Sequence, residues 1–156
     1  MNEADDYRRK LLDRILEATA EFCEACNSAK DPFMAVDEDG WNTHQLAAHT
    51  RDVDKLVYGL RARRTVNEDN PEFQSFNPEN WANTLYDASE PLASVLGEFS
   101  VNMKALVGFL WDLPPKAWAK ESRHPTLGSG LTTQAWVERG LSHIEEHLAS
   151  VKKAGA

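Results

Sequence analysis

TTQAWVERGLSHIEEHLASV, residues 132–151, has the spacing of a long amphipathic helix. Its apolar residues recur every three or four positions, which places them on one helical face. They are Val137, Leu141, Ile144, Leu148 and Val151. Leu131 and Trp136 stand where a hydrophobic staple would fix the start of the helix near Thr132. A helix of this length with one apolar stripe must pack against other helices.

Three earlier segments have the same period. The first runs from about Asp5 to Asn27, and the third runs from about Ser89 to Asp112. The second opens at Asn42, a plausible N-cap, with Gln45 at the capping-box position. Its predicted buried stripe is Leu46, His49, Val53, Leu56, Val57 and Leu60. With no convincing strand, we predict an all-α fold: one four-helix bundle domain over residues 1–156.

Two long connections interrupt this bundle, between helices 2 and 3 and between helices 3 and 4. Residues 64–87 are polar but carry four aromatic side chains, so we expect them to be packed down. These are Phe73, Phe76, Trp81 and Tyr86. Residues 113–131 form the second connection.

Charge and composition narrow the function classes. The formal net charge of −8 argues against nucleic-acid binding, which needs a clustered positive surface. The basic run RARR at 61–64 is interpreted as a solvated helix end. There is no secretory signal, and no apolar run approaches the ~18 residues that a membrane span needs. We therefore expect a cytoplasmic protein that binds neither nucleic acid nor membrane.

The histidines are the candidate site. His143 and His147 are one turn apart, so they share a helical face and could chelate one metal ion. His49 lies on the predicted stripe of the second helix and should point inward. His44, about 140° further round that helix, should face solvent, and His124 lies in a loop before a proline. Neither is a strong ligand candidate.

Three histidine nitrogens would leave coordination positions open, which is typical of catalytic rather than structural zinc sites. The alternative is that the histidines are satisfied by packing or lie on the surface. Gly140, one turn before His143, either leaves room beside a metal or substrate or allows close helix packing.

Two other site types were weighed. HIEEH at 143–147 matches the inverted zinc-protease signature, with Glu146 as base, but only nine residues remain for a downstream acidic ligand. CEAC at 23–26 lies late in a helix beside acidic residues, which disfavours a redox pair and favours buried, inert cysteines.

Taken together, the chain resembles the DinB/YfiT-like superfamily from about residue 7 to 151. The similar pieces are GWNTHQLAAHTRDVD (40–54), HPTLGSGLTTQAWV (124–137) and HIEEHL (143–148). The resemblance implies a four-helix bundle, frequent homodimers, and zinc, nickel or iron held by His49, His143 and His147. It also implies small-molecule chemistry, because characterised relatives include S-transferases and an isomerase that use low-molecular-weight bacterial thiols such as bacillithiol or mycothiol.

Roles for other residues follow as hypotheses. Asp52 could orient a metal ligand from outside the coordination sphere, or be a solvated surface acid. Glu146 could accept a proton near the metal, or simply face outward. Trp81 and Trp136 could line the pocket mouth, or belong to the core.

The leading hypothesis is a metal-dependent, thiol-using S-transferase. The alternatives are a non-enzymatic metal- or ligand-binding stress protein, and a structural dimerisation module whose histidines are merely packed.

Overall fold

The computed structural model describes residues 2–155. In chain order the elements are α1 (Glu3–Asn27), α2 (Thr43–Val53), a π-helix (Asp54–Tyr58), α3 (Gly59–Asn67), α4 (Pro78–Thr84), α5 (Leu92–Trp111), α6 (Pro115–Trp118), β1 (Glu121–His124), β2 (Gly128–Thr132) and α7 (Thr133–Gly155). The π-helix joins α2 and α3 into one continuous helix. The predicted four-helix bundle is confirmed, and its long helices are α1, α2–α3, α5 and α7.

The bundle closes as a ring of helix contacts. α1 packs against both α5 and α7, α2 packs against α5, and α3 packs against α7. The largest fully buried apolar side chains are Trp81, Trp136, Phe22, Phe99, Leu12, Ile15, Leu46, Met103 and Leu110. Apolar burial of this kind is the main stabilising contribution to the fold.

The start of α2 is held as the sequence predicts. The Asn42 side-chain oxygen accepts from the Gln45 backbone N–H at 2.7 Å, and the Gln45 side chain accepts from the Asn42 N–H at 2.9 Å. This capping box satisfies two backbone donors that the first helical turn leaves free. It fixes where α2 begins, and therefore which way His49 points.

The second half of this helix departs from the predicted stripe. Leu56 and Leu60 are 43% and 40% exposed, whereas the prediction buried both. The reason is the π-helix, where the Gly59 N–H bonds back to the Asp54 carbonyl, five residues earlier. The extra residue in that turn rotates everything downstream, so Arg61, Ala62 and Thr65 are buried instead.

Arg61 also corrects the interpretation of RARR as a solvated helix end. Its guanidinium lies over the Trp136 ring, 4.7 Å from the ring centroid, and donates to the Gln74 carbonyl at 2.7 Å. Arg61 is only 6% exposed, so it is an interior residue that ties the 64–87 connection to the bundle.

The 64–87 connection is packed down, as expected. Phe73 and Trp81 are buried, and Phe76 and Tyr86 are half-buried against the core. α4 forms within the connection and has Asn77 as its N-cap.

The 113–131 connection contains a hairpin that the sequence analysis did not predict. β1 and β2 pair antiparallel, with Ser122 opposite Leu131. Ser122 is fully buried, and its hydroxyl accepts from the Trp136 indole N–H at 2.8 Å. The strands are short, and β1 alternates between exposed and buried residues without any apolar side chain, so its sequence lacks the apolar alternation that signals a strand. The hairpin seals the start of α7.

α5 has a longer apolar stretch than the sequence analysis expected of any segment. It is long and apolar enough to cross a membrane by length and composition alone, although no apolar run was expected to approach that length. In the bundle it is a core helix that buries one face against α1 and α2. Val101, on its outer face, is 66% exposed.

Candidate metal centre

Three histidine side chains meet between α2 and α7. The Nε2 atom of His143 lies 3.0 Å from the Nε2 atom of His49 and 3.0 Å from that of His147. Within residues 2–155 this is the cluster whose ligand atoms are close enough to hold a metal ion. The structure thus brings together all three histidines that the sequence analysis singled out.

Two helices present these atoms. His143 and His147 share a face of α7 because they are four residues apart. His49 lies on α2, one turn before the π-helix, and is 4% exposed. The other two histidines are half-buried, so the cluster is open on the α7 side.

Gly140 lets the two helices approach. A Cβ atom at this position would lie 3.2 Å from the Cβ atom of Tyr58, which is closer than ordinary van der Waals contact. The Tyr58 ring then packs beside His143, with 5.5 Å between ring centroids. Of the two interpretations of Gly140, close helix packing is the one that the structure supports.

Burial keeps the three imidazoles neutral. Desolvation lowers the pKa of His49 and of His143 far below the usual 6.5, and the neighbouring His147 lowers both further. Desolvation also lowers the pKa of His147, although Glu146 and Asp37 oppose the shift. Neutral imidazole is the form that binds a metal ion.

The donor set fits a metal ion. In the neutral state, each Nε2 atom carries either one proton or one lone pair. The Nε2 atom of His143 can therefore serve only one of its two close neighbours through a hydrogen bond. A cation placed between the three atoms would satisfy every lone pair, at the ~2 Å nitrogen–metal distance usual for transition metals. Three protein nitrogens would leave at least one coordination position open.

Two indole rings hold His49 on the side away from α7. Trp41 meets the His49 ring edge-on, with 5.0 Å between centroids and an interplanar angle of 90°. Trp81 packs on the same imidazole at 5.2 Å and stacks on Trp41 at 5.7 Å. Trp81 is 1% exposed, so it is both a core residue and a wall of the centre.

The loop before α2 places Trp41. The Asp37 carboxylate accepts from the Trp41 backbone N–H at 2.9 Å, and Gly40 takes the left-handed conformation, with φ of 82°, that this turn requires. Sequence reasoning assigned Asp37 and Tyr58 no part in the site. The Asx-turn chemistry of DEDGW (37–41) was the available signal for Asp37.

Asp52 is held by two neighbouring side chains. Its side chain is only 17% exposed, so it is not a solvated surface acid. One oxygen accepts from Arg51 Nε at 2.9 Å, and the other accepts from the Trp81 indole N–H at 2.9 Å. Neither oxygen is hydrogen-bonded to His49. Within the described residues, His49 Nδ1 is buried with no hydrogen-bond partner.

Glu146 is exposed on α7, and its charge reaches the neighbouring His147. Its exposure agrees with the alternative in which Glu146 faces outward. The cluster itself contains no carboxylate within residues 2–155, so the acidic ligand of an inverted zinc protease is not among its members.

The remaining histidines lie elsewhere. His44 is 1% exposed, which contradicts the expectation that it faces solvent. The reason is the 84–91 segment that covers this side of α2: His44 contacts the Tyr86 hydroxyl and the Glu90 carbonyl, each at 2.6 Å. His124 accepts from the backbone N–H groups of its own turn. Neither joins the cluster, as expected.

The prediction that both CEAC cysteines are buried holds for Cys26 but not for Cys23. Cys26 is fully buried in the core, and burial raises the pKa of its thiol to about 12. Cys23 is half-buried, and desolvation raises the pKa of its thiol as well. Thiols held in the protonated form are poor nucleophiles and poor metal ligands.

Comparison with known proteins agrees with this architecture. OB0782 of Oceanobacillus iheyensis, whose name proposes a metal-dependent hydrolase, is 24% identical over 156 residues, spanning 97% of this chain and 81% of that protein. YfiT of Bacillus subtilis, proposed to be a metal-dependent hydrolase with an unusual four-helix bundle topology, matches with a TM-score of 0.87 at 15% identity, covering 99% of this chain and 87% of YfiT. The DinB superfamily profile matches residues 5–151. The chain belongs to the DinB superfamily.

Proposed function

We propose that this protein is a metal-dependent enzyme acting on a small molecule, with His49, His143 and His147 holding a divalent transition metal. The observation that carries the proposal is the convergence of three Nε2 atoms within hydrogen-bonding distance, which hydrogen bonds alone cannot satisfy. Zinc, nickel and iron all accept imidazole ligands.

A divalent metal held there would supply Lewis acidity and would lower the pKa of a water or thiol that completes its coordination. The chain's own residues supply the rest. The three imidazoles bind in neutral form, Trp41 and Trp81 exclude water from the His49 side, and Glu146 offers a proton acceptor at the open edge.

Aromatic rings select among substrates. Half-buried rings of Trp41, Phe76 and Tyr58 surround the cluster histidines. We therefore propose a substrate with an apolar part that packs against these rings.

Hydrolysis is the reaction that the relatives' names favour, because both name metal-dependent hydrolases. Transfer of a low-molecular-weight thiol is the second candidate, because the same open coordination position could take a thiol in place of water. A third candidate is metal binding without turnover.

The decisive experiment is metal analysis by mass spectrometry on untagged protein. We expect about one equivalent of a transition metal in the wild type and a strong loss in His143→Ala. His124→Ala is the matched control, because it removes a buried histidine outside the cluster. Circular dichroism should show the same helix content in all three proteins.

Activity assays then separate the candidates. Hydrolysis of ester and amide substrates, or thiol transfer, should disappear in His143→Ala and persist in His124→Ala. Metal without either reaction would support the non-enzymatic alternative. Absence of metal in the wild type, even after incubation with zinc and nickel, would refute the proposal.

We also propose that the chain forms a homodimer through the outer face of α5. This face exposes Val101, and the exposed Leu56 and Leu60 lie on the neighbouring helix, which the Lys55–Glu98 ion pair holds against α5. Exposed apolar surface of this kind is typical of interaction sites. Light scattering should give twice the chain mass for the wild type and a smaller mass for Val101→Glu.

A further inference from the structure

An ion network centred on the buried Arg51 is linked to the metal centre through Asp52 and Trp81. Arg51, 8% exposed, donates to Asp52 at 2.9 Å and to Glu90 at 2.6 Å, and its guanidinium lies 3.2 Å from Glu98. The second Asp52 oxygen accepts from the Trp81 indole N–H. Arg51 thus holds the carboxylate in the orientation that the indole needs.

The hydrogen bond to Trp81 is charge-assisted and only partly exposed to water, so it strongly restrains the indole. Trp81 lies on α4, inside the long 64–87 connection. Other contacts also restrain this connection: Arg61 donates to the Gln74 carbonyl, before Trp81, and the Tyr86 hydroxyl is hydrogen-bonded to His44, after it. The Asp52 contact is the one made by the indole itself, so it restrains the ring that forms the wall of the centre.

His49 lacks the restraint usual for a metal-binding histidine. Such a residue normally donates its second ring N–H to a carboxylate or carbonyl, which fixes the ring orientation. Here Nδ1 of His49 has no partner within residues 2–155, although a carboxylate lies one helical turn away at Asp52. The groups that pack on the ring from that side are Trp41 and Trp81.

We propose that Asp52 is a positioning residue that fixes the His49 imidazole indirectly, by holding the Trp81 indole against it. The role differs from direct orientation of a ligand and from proton transfer, because both Asp52 oxygens are already occupied by Arg51 and Trp81. The expected change in metal affinity rests on the proposed metal centre. The orientation of the His49 ring can be measured without metal.

The test uses the full chain in four variants: Asp52→Ala, Trp81→Phe, the double variant, and Asp52→Asn. The phenylalanine keeps a ring but removes the indole N–H. The asparagine keeps an oxygen that can accept from it. Glu98→Gln is the matched control, since it perturbs the same Arg51 network without touching Trp81.

Two quantities are measured. The first is the dissociation constant for cobalt(II), together with the visible absorption bands that report its coordination. The second is the NMR signal of the His49 ring in metal-free protein. We expect Asp52→Ala and Trp81→Phe each to weaken cobalt binding by about 10–100-fold and to shift the His49 signal. In protein that already carries Trp81→Phe, adding Asp52→Ala should weaken cobalt binding further by less than about twofold, because the effects of coupled changes are not additive.

Glu98→Gln should remain close to wild type in both measurements. Asp52→Asn should fall between wild type and Asp52→Ala, because the amide keeps one acceptor oxygen but loses the charge and presents a donor to the second partner. A full further loss on adding Asp52→Ala to Trp81→Phe would overturn the inference, since Asp52 would then act on the centre without Trp81. So would an unchanged His49 signal in Asp52→Ala. If the wild type binds no cobalt while the His49 signal behaves as expected, the metal-dependent function fails and the positioning role stands.

Discussion

Replacing Asp54 with asparagine should stabilise the protein, and increasingly so as pH rises. Asp54 lies at the start of the π-helix and is 9% exposed. Burial raises the pKa of its carboxyl group from 3.8 to about 6, against the opposing influence of Arg63. Between these two pKa values the folded state binds more protons than the unfolded state. Stability therefore falls as pH rises across this window.

The size of the effect follows from the two pKa values. At about 1.4 kcal/mol per pKa unit, the ionised carboxylate costs about 3 kcal/mol at pH 8. At pH 5, the raised pKa of Asp54 costs the folded state about 1.6 kcal/mol. Asparagine has the same shape and never ionises. Its stabilisation relative to wild type should therefore grow by roughly 1.4 kcal/mol between pH 5 and pH 8.

Urea unfolding of both proteins at the two pH values measures this difference. The histidines titrate equally in both proteins, so their contribution cancels in the comparison. A stability difference that stays constant with pH, or one that shrinks as pH rises, would refute the reasoning. Either result would mean that the Asp54 carboxylate is solvated or paired in the folded protein.

Three other outcomes are expected. Gly59→Ala should destabilise the fold by about 1–3 kcal/mol in urea unfolding, because its Cβ would lie 2.7 Å from the Asp54 carbonyl oxygen. Gly97→Ala, whose added methyl group would meet open space on α5, should instead stabilise the fold by about 0.5–1 kcal/mol. Equal changes in stability at the two glycines would argue against the close contact between Gly59 and Asp54. Cys26 should not react with iodoacetamide in native protein at pH 8 and should react in urea, measured by the mass of the intact protein. Rapid modification of the native protein would contradict the burial of Cys26. Zinc binding at pH 6 should release fewer protons, measured by calorimetry in two buffers, than the about two expected if the three imidazoles had their ordinary pKa of 6.5. A release of about two protons would contradict the lowered pKa values.

Much of the fold could be predicted because helical period and capping are local properties. The Asn42 and Gln45 capping box needs only four consecutive residues, and it forms as predicted. The π-helix could not be predicted, since the residues of 54–58 carry no pattern that distinguishes it from an α-helix. The side-chain directions predicted for the residues after the π-helix were therefore wrong. Leu60 is exposed where burial was predicted, and Arg61 is buried where exposure was predicted.

Part of the candidate site could also be predicted from local patterns, and part could not. His143 and His147 could be paired from spacing, and their approach to His49 followed from the stripe and from the resemblance to a known family. The roles of Asp52, Trp81 and His44 depend on contacts across 29 to 46 residues of sequence, which no local pattern encodes. The expectation that His44 faces solvent was wrong because the segment that covers it had no predicted position.

The π-helix makes the length of this helix a constraint in its own right. An ordinary α-helical turn over the same five residues would rotate the two halves by about 100° relative to each other, because a π-helical turn takes up about one residue more than an α-helical turn. Either His49 would then leave the metal centre or Arg61 would leave Trp136. Deletion of one residue between Asp54 and Tyr58 is the change that an α-helical turn would absorb with both halves in phase, whereas a substitution that only straightens the π-helix would separate the chemistry from the scaffold that holds it.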